Sequence, residues 1–394
     1  MRYDHIQLNN WESVELGTVC EVVRGGSPRP IIDYITDDSD GVNWLKIGDV
    51  KENDKYFTHA AEHIKRSGIP KTREVKAGDL ILSNSMSYGR AFITLIEGYI
   101  HDGWLRLRCN EKRLDKEYLY YFLTSNLAQN QFKAVATGSV VNNLKSDTVK
   151  AVKIYLPPLG EQKRIAAALS MMDDKIKCNE EINDNLLQQL QAIYQRMFSQ
   201  PSPGDMLEGR LSDICAYSQR RVSVASLSPD SYYSTENMLP GKAGAVAASS
   251  LPTIAQTTGC MPGDILISNI RPYFKKIVYC QSECGCSTDV LCFVPQTLDL
   301  SLYLFSTLYD DHFFDYMVAG SKGTKMPRGD KQQIMAYPIV LPSTTKLVEF
   351  NAIARPLLSQ IENETQENKR LASLRDTLLP RLMSGEIDVS DVTL

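Results

Sequence analysis

The chain says one thing twice, and that duplication limits the folds open to it. "GDLILSN" at residues 78–84 returns as "GDILISN" at 263–269, 185 positions on. The same offset aligns Tyr118 with Tyr303, Leu156-Pro157 with Leu341-Pro342, Ile176 with Ile361, Leu186 with Leu371 and Ser199 with Ser384. Upstream the offset widens to 195, where "LGTVC" (16–20) answers "LSDIC" (211–215). A register held this far makes the chain two copies of one module. Solenoid units run about 20–50 residues, so these copies are each a domain with an added arm.

The first part of each copy carries short apolar runs with Gly, Pro and Asn between them: "DLILSN", "AFITLI" and "LRLRC", then "DILISN", "KIVYC" and "VLCFV". These are strand signals. One helical pattern is expected at 115–133 and another at 299–318. A long helix closes each copy. In the first, Ile165, Leu169, Met172, Ile176, Asn179, Asn183, Leu186, Leu190, Ile193 and Met197 step by fours and threes, a coiled-coil seam with two asparagines at its middle. In the second, the seam runs through Phe350, Ala354, Leu357, Ile361, Glu364, Asn368, Leu371, Arg375, Leu378 and Leu382. Pro356 and Pro380 are expected to kink it near its ends.

The linkers set the direction of the pair. Only "SQPSPGD" (199–205) joins the first helix to the second domain, from which the second helix departs, so the two run antiparallel. At ~1.5 Å per residue the helix at 160–198 is about 58 Å long and holds the domains apart. The expected fold class is α+β: two tandem domains of mixed α/β structure separated by an antiparallel pair of long coiled-coil helices, with an internal pseudo-twofold repeat. The domains are 1–155 and 201–340; the helices occupy 156–200 and, with the C-terminal tail, 341–394.

No apolar run approaches the ~18 residues that span a bilayer, and "MRYDHIQLNNWESVEL" lacks a signal peptide's apolar core. The chain reads as cytoplasmic, away from membranes, with its nine cysteines reduced. A net charge of −4 argues mildly against nucleic acid. Locally the balance reverses: "GSKGTKMPRGDK" (320–331) and "IKRSGIPKTREVK" (64–76) are strongly basic, although either alone reads as a solvated loop.

Catalytic motifs are missing. The only Pro-Pro lies in "LPPL" (156–159), with Leu where an adenine methyltransferase needs Asn or Asp. No glycine-rich cofactor loop and no phosphate loop is present. Asp147 with Glu161-Gln162-Lys163 imitates a nuclease site only loosely. Cys280, Cys284, Cys286 and Cys292 lack the paired spacing of zinc sites and read as buried thiols, with Cys284 and Cys286 on one strand face. The five histidines form no ligand spacing or triad, and His59 and His63 read as surface residues.

Four stretches carry a family resemblance: "WESVELGTVCEVVRGGSPRP" (11–30), "VNWLKIGDV" (42–50), "LPPLGEQKRIAAALSMMDDKI" (156–176) and "LRDTLLPRLMSGEI" (374–387). In this order, around a duplicated helix, they resemble the specificity (S) subunit of type I restriction-modification systems. The resemblance implies two target-recognition domains, each reading half of a split sequence in double-stranded DNA, and helices that space them. It implies docking of two modification (methyltransferase) subunits that methylate adenine, and of motor-nuclease restriction subunits. The chain itself is then no enzyme and holds no cofactor or metal; S-adenosylmethionine and ATP belong to the partners. Where the first copy has Glu161-Gln162, the second has Lys346-Leu347, so the two helix starts are not expected to make identical contacts.

Base reading needs polar side chains on loops that enter a groove, with cations on phosphates. Three loops per copy qualify. In the first, "RGGSPR" (24–29), "SNSMSYGR" (83–90) and "TGSVVNNLK" (137–145) place Arg24, Asn84, Tyr88, Arg90, Ser139, Asn142 and Lys145 as candidates. In the second, "SQRR" (218–221), "SNIRPYFKK" (268–276) and "GSKGTKMPR" (320–328) place Arg221, Arg271, Tyr273, Lys275, Lys322, Lys325 and Arg328. Asn84 and Asn269 follow matching strands, and for them a turn-capping role stands beside the DNA-reading one. The seam residues Ile165, Leu169, Ile176, Asn183, Leu186, Leu190, Ile361, Asn368, Leu371 and Leu378 are the candidates for helix and partner contacts. The alternative is a coiled-coil scaffold whose heads bind proteins.

If the helices are a ruler, their length sets the unread spacer between half-sites. Four residues inserted after Asn183, with a matching insertion near Asn368, add about one turn, or roughly 6 Å. At ~3.4 Å per base pair, the same half-sites are expected to be methylated with a spacer longer by about one or two pairs. Mapping methylated adenines in a genome carrying the variant checks this, and an unchanged spacer in an active variant refutes it.

Overall fold

The computed structural model describes residues 11–50, 54–85, 88–136, 143–199 and 207–389. Contacts divide the chain into two compact units, Met1–Lys177 with Asn368–Leu394, and Cys178–Glu367. The division falls within both long helices, so each unit holds a stretch of both.

In the first unit, one five-stranded sheet has the order Cys20–Arg24, Trp104–Cys109, Leu80–Ser83, Ala91–Thr94, Tyr56–Phe57. A second runs Ile35–Thr36, Glu62–Ile64, Val42–Leu45, Gly98–Ile100, Arg73–Val75. Glu12–Glu15 pairs antiparallel with Lys153–Leu156. The second unit repeats the plan with four strands per sheet. The first is Cys215–Tyr217, Val290–Pro295, Ile265–Ser268, Ile277–Tyr279; the other is Arg221–Ser223, Gln256–Cys260, Cys284–Cys286, Tyr232–Tyr233. Leu207–Arg210 pairs with Pro338–Leu341. The six strands expected from apolar runs are all present.

The two "GD" turns fold alike. Gly78 and Gly263 take φ of 92° and 91°, a left-handed conformation natural to glycine. Asp79 and Asp264 then accept backbone N–H groups from Lys76 (2.9 Å) and Met261 (2.7 Å) and start a fully buried strand. The match extends to single hydrogen bonds. Leu16 N–H donates to Val152 O (2.8 Å) and Leu211 N–H to Tyr337 O (2.9 Å). Tyr118 donates to Tyr155 O at 2.9 Å, and Tyr303 likewise to Val340 O.

Among the described residues eight α-helices accompany the sheets: α1 (Lys116–Thr124), α2 (Asn126–Ala136), α3 (Ser146–Lys150), α4 (Leu159–Tyr194), α5 (Ser301–Tyr309), α6 (Asp311–Ala319), α7 (Lys331–Met335) and α8 (Thr344–Met383). Where one helical pattern per copy was expected, there are two helices. Ser125 (ψ 154°) and Asp310 (ψ 143°) leave the helical region, and the Asp310 carboxylate caps α6 by accepting from His312 N–H at 2.9 Å. The apolar period continues through both breaks, which hides them in the sequence. α8 is helical without interruption through Pro356 and Pro380, so the expected kinks do not break it. Ala354 and Leu358, buried in the second core, hold the helix across the bond Pro356 cannot make. α4 ends in a wider π turn, Gln195–Ser199.

In the first unit Arg375 of α8 bonds Asp173 of α4 (2.6 Å), and Asn368 donates to Ile176 O (3.4 Å). In the second, Asn179 donates to Glu367 (2.8 Å) and Asn183 to Thr365 (3.4 Å). In each unit the numbering rises on one helix as it falls on the other, so the pairing is antiparallel.

The helices are seated on the sheets differently in the two copies. In the first unit, Lys55, only 6% exposed at its side chain, bonds Glu117 of α1 at 2.6 Å and Ser170 of α4 at 2.8 Å. Its ammonium lies 4.9 Å from the centre of the Tyr121 ring, and the Tyr121 hydroxyl donates to Asp173 at 2.5 Å. At the offset of 185, Glu117, Tyr121, Asp173 and Arg375 correspond to Leu302, Ser306, Leu358 and Leu190. All four of those are buried in the second unit. The same joint is thus a charged network in one copy and almost wholly apolar in the other. Lys55→Ala strips a buried cation from its carboxylate and is expected to cost about 3 kcal/mol. Urea unfolding followed by the first unit's fluorescence checks this, with Lys55→Met, which keeps the packed stem, losing less.

Candidate nucleic-acid interface

Each central strand ends on an asparagine, and that asparagine joins two loops. Asn84 N–H donates to Gly103 O (2.9 Å), while its own carbonyl accepts from Leu144 N–H (2.8 Å). Asn269 N–H donates to Asp289 O (2.8 Å), and its carbonyl accepts from Gly329 N–H (3.2 Å). Leu144 and Gly329 are themselves 185 apart. Two of the three candidate loops in each copy are therefore tied together by the same backbone clamp.

In the first unit a residue that sequence reasoning missed ties two of the three loops, 24–29 and 83–90, together. Asp102, in the turn after Gly98–Ile100, accepts from Ser27 (2.8 Å) and Arg29 (3.1 Å) through its carboxylate. Its carbonyl accepts from Arg24 Nε (3.1 Å) and Asn84 Nδ2 (2.8 Å). Burial would raise the Asp102 carboxyl, but the Ser27 hydroxyl and the charges of His101 and Arg29 outweigh it and leave it below its ordinary value. His101 goes the other way, lowered chiefly by burial, and accepts Gly103 N–H at 2.7 Å on Nδ1. The only signal of this hub was "HDG" (101–103), a turn sequence among many.

The placement corrects one candidate. Asn84 is 1% exposed and spends its amide on Asp102, so it is a structural tie and offers no side chain to a groove. Arg24 and Lys145 are exposed; Tyr88 is half-buried against the core, and the Arg90 guanidinium lies 5.2 Å from the centre of the Phe92 ring. Ser139 and Asn142 lie outside the described residues.

In the second unit Lys322 and Arg328 face each other across a small hairpin, and Arg328 also bridges to Ile270. Arg271 N–H donates to Pro327 O at 2.8 Å, which sets "SNIRPYFKK" beside "GSKGTKMPR". Arg328 bonds Asp289 (3.0 Å), Lys322 pairs with Asp330, and Lys325 is exposed near the hairpin tip. Lys275 and Lys242 share Asp311 Oδ1, each at 2.8 Å, and their hydrogen bonds hold that carboxyl down at about 2. Arg221 is exposed on the strand Arg221–Ser223, opposite Thr258. A groove of about 590 Å3 lies between these segments, lined by Thr235, Ile270, Arg271, Phe274, Lys276 and Met326 among others. The Arg271 Nε is buried there without a hydrogen-bond partner among the described residues. Lys242, Lys276, Asp289 and Asp311 were not foreseen, since nothing in their own segments marks them.

Of the seam residues, Ile165, Leu169 and Leu378 pack into the first core, and Leu190 and Ile361 into the second. Ile176, Asn183, Leu186, Asn368 and Leu371 are half-buried along the pair. Gln162 is inward-facing: its amide donates to Arg113 O (2.9 Å) and Pro157 O (2.8 Å) and its oxygen accepts from Asp115 N–H (2.8 Å). Leu347, its counterpart, is buried in the second core. Cys280, Cys284, Cys286 and Cys292 are buried free thiols, joined by Cys260, and Cys284–Cys286 is a strand.

Residues 9–188 match the family described as the type I restriction modification DNA specificity domain. Over 97% of its length the chain is 23% identical to the type I restriction enzyme MjaIX specificity subunit of Methanocaldococcus jannaschii, of which 95% is covered. Over nearly its whole length the chain is thus similar to a type I restriction enzyme specificity subunit. A second specificity subunit of that organism, the putative MjaX protein, is 31% identical over 42% of this chain and 40% of its own length. The crystal structure of the type I S subunit from M. genitalium shares the fold, with a TM-score of 0.57 and 15% identity over 97% of this chain and 98% of that one. Among the described residues no helix is long and apolar enough to cross a membrane.

Asp102→Ala removes the carboxylate that holds Ser27 and Arg29 but keeps the carbonyl that accepts from Arg24 and Asn84. It is therefore expected to loosen the 24–29 loop alone and to weaken discrimination in one half of the target by about 1–3 kcal/mol, leaving the other half unchanged. Methylation of duplexes altered in one half at a time checks this. The stabilising contribution of Asp102 is full above the ordinary carboxyl value of 3.8 and is lost as pH falls through its lower folded value.

Proposed function

We propose that this chain is a specificity subunit that reads a bipartite DNA target, one half through each unit, and docks modification and restriction subunits along its helix pair. The observation that carries this is the clamp shared by Asn84 and Asn269. It holds loops of the same placement and different side chains at the end of the same strand in both copies. A common scaffold with divergent loops is what two readers of different half-sites require. In the second unit the cations at the clamp lie beside a groove, so phosphates are engaged by Lys325 and Arg328 while Arg271 reads a base edge. In the first, Arg24, Arg90 and Lys145 take the corresponding parts. S-adenosylmethionine and ATP are then bound by the partners, of which the modification subunits number two.

Two measurements test the reading. The purified chain incubated with labelled S-adenosylmethionine and diverse DNA is expected to transfer no methyl group, and sustained turnover free of methyltransferase subunits refutes it. In the assembled methyltransferase, Lys325→Ala is expected to lower the salt slope of binding by about one on all sequences. Arg271→Ala instead relaxes one position of the second half-site. Parent-like behaviour of both variants removes this surface from the reading head.

A further inference from the structure

Among the described residues, the non-glycine residues with left-handed backbone are Lys242 (φ 65°), Arg271 (φ 50°) and Lys275 (φ 50°). All three are cations, and all meet at one turn. Gly241 N–H donates to Phe274 O (2.8 Å) and Lys242 N–H to Lys275 O (2.9 Å), while Pro272–Phe274 forms a single 3-10 turn between the other two. Residues with a Cβ keep such backbone only where their surroundings over-determine it. Here Asp311 holds both lysines, and the Lys242 ammonium stands 4.7 Å from the centre of the Tyr309 ring. Arg271 is anchored to Pro327 O.

That turn presents two adjacent aromatic side chains to solvent, Tyr273 at 48% and Phe274 at 38% exposure, with ring centres 4.7 Å apart. Met326 of the neighbouring hairpin is 52% exposed, and Phe274 and Met326 both line the groove that contains Arg271 and Lys276. A rigid aromatic tip among cations has the form of a side chain that enters stacked bases while its flanks meet phosphates. Among the described residues the first unit has no such tip at the corresponding place. At the offset of 185, Tyr273 corresponds to Tyr88, half-buried against the core, and Phe274 to Gly89.

We propose that Tyr273 and Phe274 form a wedge that enters one base step of the second half-site and unstacks it, with Lys242 and Lys275 as positioning residues beneath it. The proposal rests on the DNA-reading function above. It also makes the two halves mechanically unlike: one deformed, the other read without a wedge.

The test uses the assembled methyltransferase, once its motif has been mapped from methylated adenines. Duplexes carry 2-aminopurine at successive steps of each half-site, away from the methylated positions, and anisotropy reports binding separately. The parent is expected to raise the fluorescence severalfold at one step of the second half-site and at none in the first. The double variant Tyr273→Ser, Phe274→Ser is expected to lose that rise and bind about tenfold more weakly. Tyr273→Leu, Phe274→Leu, which keeps an apolar wedge, restores both. A parent that binds and methylates its motif with no rise in the second half-site overturns the wedge and leaves recognition standing. So does a rise that survives in the serine variant. Absence of any sequence-specific binding by the assembled enzyme overturns both readings together.

Discussion

The hydrogen bonds at the end of the central strand are the constraint from which the candidate surface follows. A strand buried on both faces, such as Leu80–Ser83 or Ile265–Ser268, is fixed in register by its neighbours, so the residue that follows it has no freedom of position. Asn84 and Asn269 convert that fixed point into a clamp, donating to one loop and accepting from another. The loops can then differ in length and side chain without moving their roots. A reading head needs that combination, because base contacts demand placement to a fraction of an ångström while the half-site read must be free to change.

Charge follows the same economy. The chain is acidic overall, with a net charge of −4, yet the candidate surfaces carry several cations, some of them tethered to carboxylates. The Asp102 carboxylate holds Arg29 in one unit; Asp289 and Asp311 hold Arg328, Lys242 and Lys275 in the other. Exposed pairs of this kind contribute little to stability. Their effect is orientational: a carboxylate fixes the direction of a long side chain before any phosphate arrives, reducing the ordering cost of binding.

The two copies have parted most at the joint between sheets and helices. Lys55, Glu117, Tyr121, Asp173 and Arg375 make a directional joint in the first unit, since each hydrogen bond is satisfied at one geometry only. Leu190, Leu302 and Leu358, with Tyr194, Phe198, Tyr303 and Phe350 stacked beside them, make an apolar joint in the second. Equivalent architecture thus tolerates either solution, and the apolar one accommodates the buried Ser306 hydroxyl without a hydrogen-bond partner among the described residues.

Spacing in the sequence was enough to determine the duplication, six of the strands and the burial of the clustered thiols, and the short linker at 199–205 gave the antiparallel sense of the long helices, because those features are written in local pattern and in a repeat of 185. The breaks at Ser125 and Asp310 were invisible, since the apolar period runs through them and only backbone dihedrals differ. Asn84 read equally as a DNA contact or a turn cap, because its residue type suits both, and burial favours the structural role. Only the tertiary structure brought Asp102 to Arg24, Ser27, Arg29 and Asn84, and Lys242 to Lys275 through Asp311. Those partners lie up to 78 positions apart along the chain. Their meeting depends on which strand pairs with which, a long-range outcome of burial that no local pattern encodes.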